Sequence, residues 1–358
     1  MTYSLEEAKF QVRSMGQNLK KEGLMVGSWG NVSVRVDENT FVISPSGTSF
    51  NSLSNEDIVR VNIKDGSHDA GKVPSSEYLI HLITYKSRPD VSCVIHTHQP
   101  VATALSTLGV SFNDIKRYIP EGMTRDVTIL GNTIPVTSYQ FPGTKDMMKA
   151  IGKAWKKNPE ACALLIKNHG AIICGEEARE TFYIVKMLEK MSKWIYSSIV
   201  EIDEEDLKFE DAFETKYRDK LKWAKDNKEM LDKYSFVSRS PFLVRYSNLG
   251  MDLEAYIDDM AQLCGGVVVN LTGKINQSFL AKQLKDNSAC LLKGKGAVCV
   301  AESEIEARNL CMVLEKNAMA AYLAKKYGNI PPIPEKYAKE DRKFYLKSYS
   351  QRVKDSKK

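Results

Sequence analysis

VSCVIHTHQPVATALSTLG, residues 91–109, joins a β-branched apolar run to a helix-forming stretch that begins at Gln99. The first part predicts a buried strand and the second a helix. Two of the five histidines in the chain, His96 and His98, stand two positions apart on that strand. Residues i and i+2 of a strand point to the same side, so both imidazoles aim at one point. Alone, the pair is a moderate sign of a metal site, because two polar residues on an ordinary strand give the same pattern.

The N-terminal part of the chain predicts one helix followed by short strands. Ser4 and Glu7 form a capping-box pattern, which opens a helix that we expect to end near Glu22. The runs VSVRV (32–36) and TFVIS (40–44) alternate in the manner of β-strands.

The remaining elements mix strands and helices without a regular βαβ order. PSSEYLIHLITYKSRPD (74–90) predicts a helix that Ser75 or Ser76 caps and Pro89 ends. CALLIKNHGAIICG (162–175) predicts a strand, a tight turn and a second strand, and an amphipathic helix follows it. This organisation favours a mixed α/β or an α+β fold.

Composition limits the class of protein. The chain has 358 residues and a formal net charge of +6, with much of the positive excess near its C-terminus. No apolar run reaches the roughly 20 residues that span a bilayer, and we expect no signal peptide. The seven cysteines form no C-x-x-C pair, which favours reduced thiols and a cytoplasmic location. We expect neither a nucleic-acid nor a membrane partner; the modest positive field suits small anionic substrates such as sugar phosphates.

Two further residues strengthen the metal hypothesis. His169 stands at the tight turn of residues 162–175, where a side chain can reach a neighbouring strand. Three imidazoles leave a fourth position open, as catalytic zinc sites do. Glu77 is the natural fourth group, although an acid at a helix N-terminus also complements the helix dipole. His81 lies one turn further along that helix and rivals His169 as a ligand, but a structural hydrogen-bonding role is favoured; His68 is expected to be exposed and uninvolved.

Three turns are candidates for binding an anion. Each offers backbone N–H groups, and one precedes a helix N-terminus, where the dipole favours phosphate. Taken singly, each turn is better explained as ordinary loop chemistry, and none is a nucleotide-binding loop. The residues are Gly30, Asn31, Ser46, Gly47, Ser75 and Ser76.

The C-terminal half contains an internal similarity. Residues 289–324 align with residues 163–198 without a gap, at an offset of 126, and Lys295 falls on His169. We interpret this as a partial duplication that has lost its polar site; the alternative is an accidental match between two common strand–turn–strand–helix units. The expected organisation is a catalytic domain at 1–205, a charged helical connector at 206–235, a metal-free degenerate partial repeat at 236–330 and a basic tail at 331–358.

Taken in order, GNVSVR (30–35), SPSG (44–47), PSSE (74–77), HTH (96–98) and NHG (168–170) resemble the class II aldolase and adducin family. The resemblance implies αβα layers around a largely antiparallel central sheet, and a divalent metal: usually zinc, with manganese or cobalt as alternatives. The implied metal ligands are His96, His98, His169 and Glu77. The implied phosphate cradle is Gly30, Asn31, Ser46, Gly47, Ser75 and Ser76. Tyr118 lies about where family aldolases carry a tyrosine that serves the aldehyde end of the site, although the residues around it diverge.

The resemblance also implies a reaction. A ketose phosphate would undergo reversible retro-aldol cleavage to dihydroxyacetone phosphate and an aldehyde through a metal-stabilised enediolate, with Glu77 carrying the proton and Tyr118 serving the aldehyde oxygen. Alternatives within the family are a pentulose-phosphate 4-epimerase, a methylthioribulose-phosphate dehydratase and a non-catalytic adducin-like protein. Epimerases typically carry Asp at the position of Glu77, and adducins lack the metal histidines. Family enzymes form fourfold rings, so a homo-oligomer is expected, with the degenerate half in a neighbour-like or buttressing position.

Overall fold

The computed structural model describes residues 3–25, 29–122, 127–202, 207 and 234–349. The chain divides into two compact units. Unit 1 comprises residues 1–198 and 349–358, and unit 2 comprises residues 199–348. Most of the predicted connector (206–235) and the end of the predicted basic tail (350–358) lie outside the described residues.

Unit 1 is built on one six-stranded sheet whose order is β3-β2-β1-β4-β8-β7, with every neighbouring pair antiparallel. The mixed α/β fold with a largely antiparallel sheet is therefore confirmed. The elements of unit 1 are α1 (Leu5–Lys21), β1 (Gly30–Asp37), β2 (Thr40–Ile43), β3 (Val59–Asn62), α2 (Tyr78–Ser87), β4 (Cys93–Thr97), α3 (Pro100–Ser106), β5 (Phe112–Asn113), β6 (Thr133–Ile134), α4 (Lys145–Lys157), β7 (Ala163–Ile166), β8 (Gly170–Gly175) and α5 (Ala178–Val200), with 3₁₀ turns at Ile115–Tyr118 and Val127–Leu130.

Two helix starts show how well capping could be predicted. At α1, the Ser4 side chain accepts a hydrogen bond from the Glu7 amide and the Glu7 carboxylate accepts one from the Ser4 amide, as the sequence predicts. At α2 the prediction was wrong: the N-cap is Glu77, without a side-chain capping bond, rather than Ser75 or Ser76. The carboxylate of Glu77 is turned toward two histidines instead.

Helices cover both faces of the sheet of unit 1. On one face, Tyr85 of α2 and Trp155 of α4 pack with Val94 in a core whose members are almost fully buried. Cys93, which precedes Val94 on β4, points to the opposite face of the sheet, where its sulfur lies 3.9 Å from that of Met15 of α1. Burying each large side chain contributes about 1.5–3 kcal/mol, so truncating one such as Trp155 to Ala would cost about 3–5 kcal/mol.

Unit 2 carries a four-stranded sheet of order β12-β13-β14-β9. The β12–β13 pair is parallel and the other two pairs are antiparallel. The elements are β9 (Tyr234–Ser238), α6 (Pro241–Asn248), β10 (Leu253–Glu254), α7 (Asp258–Cys264), β11 (Val267–Val268), β12 (Asn270–Leu271), α8 (Gln277–Asp286), β13 (Ala289–Leu292), β14 (Gly296–Ala301), α9 (Glu304–Gly328) and α10 (Glu335–Phe344), followed by a π-helical turn at Tyr345–Tyr349.

The strand–turn–strand–helix segments of the two units correspond residue for residue. Both β13 and β14 begin and end 126 positions after β7 and β8, and α9 begins 126 positions after α5. The correspondence continues beyond the gap-free alignment. His96 of β4 pairs with Ile172, and Val237 of β9 pairs with Val298, which lies 126 positions after Ile172.

This register matches β9 with β4 and α6 with α3 at an offset of 141. The similarity therefore extends over residues 93–200 and 234–326, which supports the interpretation of unit 2 as a partial repeat. Within the described part of unit 2, no strand corresponds to β1, β2 or β3.

A buried glutamate holds the same helix start in both units. The carboxylate of Glu189 accepts hydrogen bonds from the amides of Val101 and Ala102, at 2.8 and 3.1 Å. In unit 2 the equivalent Glu315 accepts from the amides of Phe242 and Leu243, at 3.1 and 2.9 Å, and from the Ser240 hydroxyl. Burial raises the pKa of Glu315, and these three donors partly offset the increase.

Part of the predicted basic tail is folded. Residues 335–344 form α10, which packs on α7 and buries Ala338 completely. Arg342 donates hydrogen bonds to the carbonyls of Gln262 and Leu263 near the end of α7. None of the helices in the described parts of the chain is long and apolar enough to cross a bilayer.

Candidate metal centre

Four side chains from three parts of unit 1 converge on one point. His96 lies on β4, His98 directly follows that strand, His169 sits in the β7–β8 turn and Glu77 caps α2. One nitrogen or oxygen atom from each lies within 4.8 Å of the corresponding atoms of the others. The three histidines are at most 2% exposed. The structure thus brings together the residues that the sequence predicted as metal ligands.

The same ring nitrogen of each histidine faces the centre of this cluster. The Nε2 atoms of His96 and His98 lie 2.8 Å apart. Glu77 places Oε1 2.8 Å from Nε2 of His169 and Oε2 3.2 Å from Nε2 of His96. The carboxylate therefore bridges two of the three imidazoles.

The tautomer of His96 is fixed by the backbone. Its Nδ1 lies 2.8 Å from the carbonyl oxygen of Ala171, which can only accept a hydrogen bond. Nδ1 must therefore carry a proton, and Nε2, which faces the cluster, is the nitrogen left to bind a metal. A backbone carbonyl behind a ligating histidine commonly supports metal binding in this way.

The turn before β8 brings His169 close to β4. Asn168 has a φ of +61°, the left-handed conformation that asparagine tolerates better than most residues. Gly170 lies against β4 so closely that a Cβ atom there would stand 2.5 Å from the carbonyl oxygen of Thr97 and 3.2 Å from the His98 ring. Only glycine allows the two strands to approach this closely and hold the histidines together.

The electrostatics suit a cation. Burial by itself raises the pKa of Glu77, but the charge and hydrogen bonds of His96 and His169 outweigh it and hold the pKa well below the ordinary range. Glu77 is therefore an anion at neutral pH. Three imidazole nitrogens and one carboxylate form a donor set that fits zinc, and a displaceable carboxylate leaves a position for substrate.

The three predicted anion-binding turns are adjacent to one another. Ser44 connects them: its amide donates to the Val32 carbonyl, its hydroxyl accepts from the Val32 amide, and its carbonyl accepts from the Ser75 amide. The Ser46 amide donates to the carbonyl of Val73. Ser44 was not singled out from the sequence, because a serine before a proline carries no distinctive signal.

Two buried donors in this region have no hydrogen-bond partner among the described residues. They are the Ser46 hydroxyl and the indole N–H of Trp29, which directly precedes Gly30 and Asn31. An unpartnered buried donor costs about 1–3 kcal/mol. Donors of this kind suit a site that receives an anion.

The other sequence candidates lie apart from the four ligands. His81 is fully buried and belongs to a hydrogen-bonded network behind Glu77, in keeping with the structural role favoured for it. His68 is exposed. Tyr118 ends a 3₁₀ turn, where its hydroxyl accepts a hydrogen bond from Arg117, and none of its described contacts joins it to the cluster. Its assignment to the aldehyde end of the site stays a prediction.

Comparison with known proteins gives a family match over about half of the chain and several similar proteins. The family description "Class II Aldolase and Adducin N-terminal domain" matches residues 11–196. L-fuculose phosphate aldolase of Escherichia coli K12 is 31% identical over 181 residues, which cover 51% of this chain and 79% of that protein. 3-oxo-tetronate 4-phosphate decarboxylase of the same organism is 32% identical over 178 residues, which cover 49% and 80%. A solved structure of L-fuculose 1-phosphate aldolase is 30% identical, with a TM-score of 0.47 and coverage of 54% and 85%.

Proposed function

The chain belongs to the class II aldolase and adducin family, and from that premise we propose that it is a zinc-dependent sugar-phosphate aldolase, a carbon–carbon lyase. Its substrate would be a ketose phosphate, cleaved reversibly to dihydroxyacetone phosphate and an aldehyde. The observation that carries the proposal is the position of Glu77. Its carboxylate contacts two cluster histidines and also accepts a hydrogen bond, 3.2 Å long, from the amide nitrogen of Asn31 in the anion-binding turns.

His96, His98 and His169 would hold the metal, with Glu77 as the fourth ligand in the absence of substrate. A divalent metal bound there supplies Lewis-acid stabilisation of the negative charge that develops on the substrate when the carbon–carbon bond breaks. Glu77 would take up a proton and return it to the same substrate carbon, because its carboxylate lies directly against the histidines that would hold the metal.

The phosphate would lie at the three turns, at a distance from the bond that breaks. Backbone amides of Gly30, Gly47 and Ser76, the Asn31 amide group and the hydroxyls of Ser46, Ser75 and Ser76 are its proposed donors. Binding energy from this remote group orients the reacting carbons against Glu77 and the histidines. Tyr118 is retained as a proposed proton donor to the aldehyde oxygen.

Decarboxylation of a phosphorylated 3-oxo acid is the second candidate, because the similarity to the tetronate phosphate decarboxylase is as high as that to the aldolase. Both reactions leave negative charge beside a carbonyl group, so the same histidines would serve either. A pentulose-phosphate 4-epimerase is less favoured, because family epimerases typically have Asp at the position of Glu77. The sequence alone supports the same preference.

The experiment is a substrate screen on the purified full chain, with its metal content measured on the same sample. Ketose 1-phosphates and pentulose 5-phosphates are tested for release of dihydroxyacetone phosphate, beside assays for epimerisation and for release of carbon dioxide from 3-oxo-tetronate 4-phosphate. Release of dihydroxyacetone phosphate that stops on chelation and returns with zinc is expected. A folded sample without bound metal, or one that only decarboxylates, would exclude the aldolase.

We also propose that the enzyme acts in the cytoplasm as a homo-oligomer. All seven cysteines are free thiols, which fits a reducing compartment. A single monomeric species in analytical ultracentrifugation at micromolar concentration would contradict the oligomer.

A further inference from the structure

A continuous hydrogen-bonded chain lies behind Glu77, inside unit 1. The hydroxyl oxygens of Tyr85 and Ser33 are 2.9 Å apart, and Ser33 Oγ is 2.7 Å from Nδ1 of His81. Nε2 of His81 contacts Oδ1 of Asn31, and Nδ2 of Asn31 donates to Oε2 of Glu77. Tyr85, Ser33, His81 and Asn31 are all buried, at most 3% exposed.

The direction of each hydrogen bond between Glu77 and Tyr85 follows from the bond beside it. The nitrogen of the Asn31 amide donates to Glu77 at 3.2 Å, so the amide presents its oxygen to His81. The oxygen of Asn31 can only accept, so Nε2 of His81 must carry a proton. Burial lowers the pKa of His81 to about 3, which keeps the ring neutral with a single N–H.

The remaining bonds are then determined. Nδ1 of His81 has no proton and accepts from the Ser33 hydroxyl at 2.7 Å, a shorter contact than the 3.5 Å between that hydroxyl and the carbonyl of Val94. Ser33 in turn accepts from the hydroxyl of Tyr85, which stays protonated because burial raises its pKa well above the usual value. Reversing any bond would place two donors or two acceptors against each other.

We infer that His81 is a positioning residue: it locks the Asn31 amide so that its N–H₂ group faces Glu77 and, through Glu77, sets the carboxylate against the histidine cluster. Without a donor at Nε2, the oxygen of the Asn31 amide loses its partner on α2, and the amide group is no longer held from that side. Glu77 would then lose the hydrogen bond that orients it. The inference rests on the proposed function, since it assigns Glu77 and the three histidines to a metal.

Two amide substitutions of His81 separate this role from simple core packing. Glutamine can place an N–H₂ group near the position of Nε2, whereas asparagine reaches only the position of Nδ1. His81→Gln is therefore expected to keep the bond to Asn31, and His81→Asn to lose it. The readout is the zinc dissociation constant of the full chain, measured by competition with a chelator.

We expect zinc affinity within about threefold of wild type for His81→Gln and a loss of about 10- to 100-fold for His81→Asn, the usual effect of removing a residue that orients a ligand. Thr84→Val is the matched control. It removes a buried hydroxyl on α2, the helix of His81, that accepts a hydrogen bond from the indole N–H of Trp155 on α4. Thr84 takes no part in the hydrogen bonds between Tyr85 and Glu77, so its substitution should leave zinc affinity unchanged. Equal zinc affinities for the Gln and Asn variants would overturn the inference.

A second measurement uses the unmodified protein and holds whether or not zinc binds. Long-range ¹H–¹⁵N correlation spectra of ¹⁵N-histidine-labelled protein report the tautomer of each ring. The His81 ring should appear neutral with its proton on Nε2 at pH 7. A proton on Nδ1 would contradict the inference directly. If wild-type protein binds no zinc while the tautomer is as expected, the proposed function is wrong but the inferred directions of the hydrogen bonds around His81 are correct.

Discussion

The two units share a framework but differ at the positions where the first carries its chemistry. Following the strand register, His96, His98 and His169 of unit 1 correspond to Val237, Arg239 and Lys295 of unit 2. Two cations thus occupy positions equivalent to metal ligands, and both are exposed. A divalent cation would be repelled where unit 1 attracts it, so the metal is expected in unit 1 alone.

What the units have in common is what holds the strands and helices in place. Glu189 and Glu315 cap equivalent helices, and Gly170 and Gly296 lie at equivalent close approaches. A Cβ atom at Gly296 would stand 2.0 Å from the carbonyl of Ser238, just as one at Gly170 would meet that of Thr97. Since unit 2 keeps these residues without the histidines, their primary role is structural rather than catalytic.

The largest expected difference between the units is in metal content. His169→Ala should reduce bound zinc from about one per chain to near zero, since one of the three proposed imidazole ligands is removed. Activity should fall by about 10³-fold or more, because the metal contributes several kcal/mol to the transition state. The equivalent change in unit 2, Lys295→Ala, should alter neither. Elemental analysis measures the zinc content of both variants and the cleavage assay measures their activity. Loss of zinc in the Lys295 variant would contradict the expectation that only unit 1 binds the metal.

Glu77 has no counterpart in the described part of unit 2, and its substitution should affect chemistry more than binding. Glu77→Gln keeps the size of the side chain and an oxygen for Asn31 but removes the base. We expect turnover to fall by about 10²- to 10⁴-fold. Calorimetry should still detect inorganic phosphate, because the anion-binding turns are intact. A turnover number close to that of wild type would show that another group carries the proton.

Acid should destabilise unit 1 selectively, because all five histidines of the chain lie there. Burial lowers the pKa of His81 to about 3, against about 6.5 in an unfolded chain. Between these values the unfolded state binds the proton and the folded state does not, so the stability contributed is lost as pH falls through this window. At pH 5 the loss is about 2 kcal/mol.

His81→Gln should remove that part of the pH dependence. Urea unfolding monitored by hydrogen-exchange mass spectrometry at pH 7.5 and pH 5 distinguishes peptides of the two units. The same pH dependence in wild type and variant would show that His81 is not held neutral.

The smallest expected effect compares the two capping glutamates. Glu189→Gln and Glu315→Gln should each reduce the free energy of unfolding by about 1–2 kcal/mol, because the amide of glutamine sets a donor against backbone donors. Only Glu189→Gln should also weaken zinc binding, since α3 begins two residues after His98. Zinc affinity that falls equally in both variants would argue against separate roles for the two units.

Much of unit 1 could be predicted because its signals are local. The β-branched run before His96, the capping box at Ser4 and the turn at His169 are all contained in short segments. The cap of α2 was mispredicted because Glu77 is drawn to histidines that are distant in sequence, which no local pattern reveals. The chain of hydrogen bonds through Ser33 and Tyr85 is likewise long-range, formed between a strand and a helix some 50 positions apart.

The full extent of the repeat was missed for a different reason. The offset between the units changes from 141 at β9 to 126 at β13. The segment between β9 and β13 of unit 2 is therefore 15 residues shorter than the segment between β4 and β7 of unit 1. A gap-free alignment stops at such a change. The strand register carries the correspondence across it, because backbone pairing is preserved where side chains are not.

The boundary of the repeat also bears on ancestry. The part of unit 1 with a counterpart begins at Cys93 and contains the three histidines, whereas Glu77 and the anion-binding turns precede it. If unit 2 descends from a copy of that segment alone, the copy never inherited a carboxylate or a phosphate site. Mutations of its histidines would then have been invisible to natural selection from the first generation, while its glutamate and glycine remained under selection because the fold needed them.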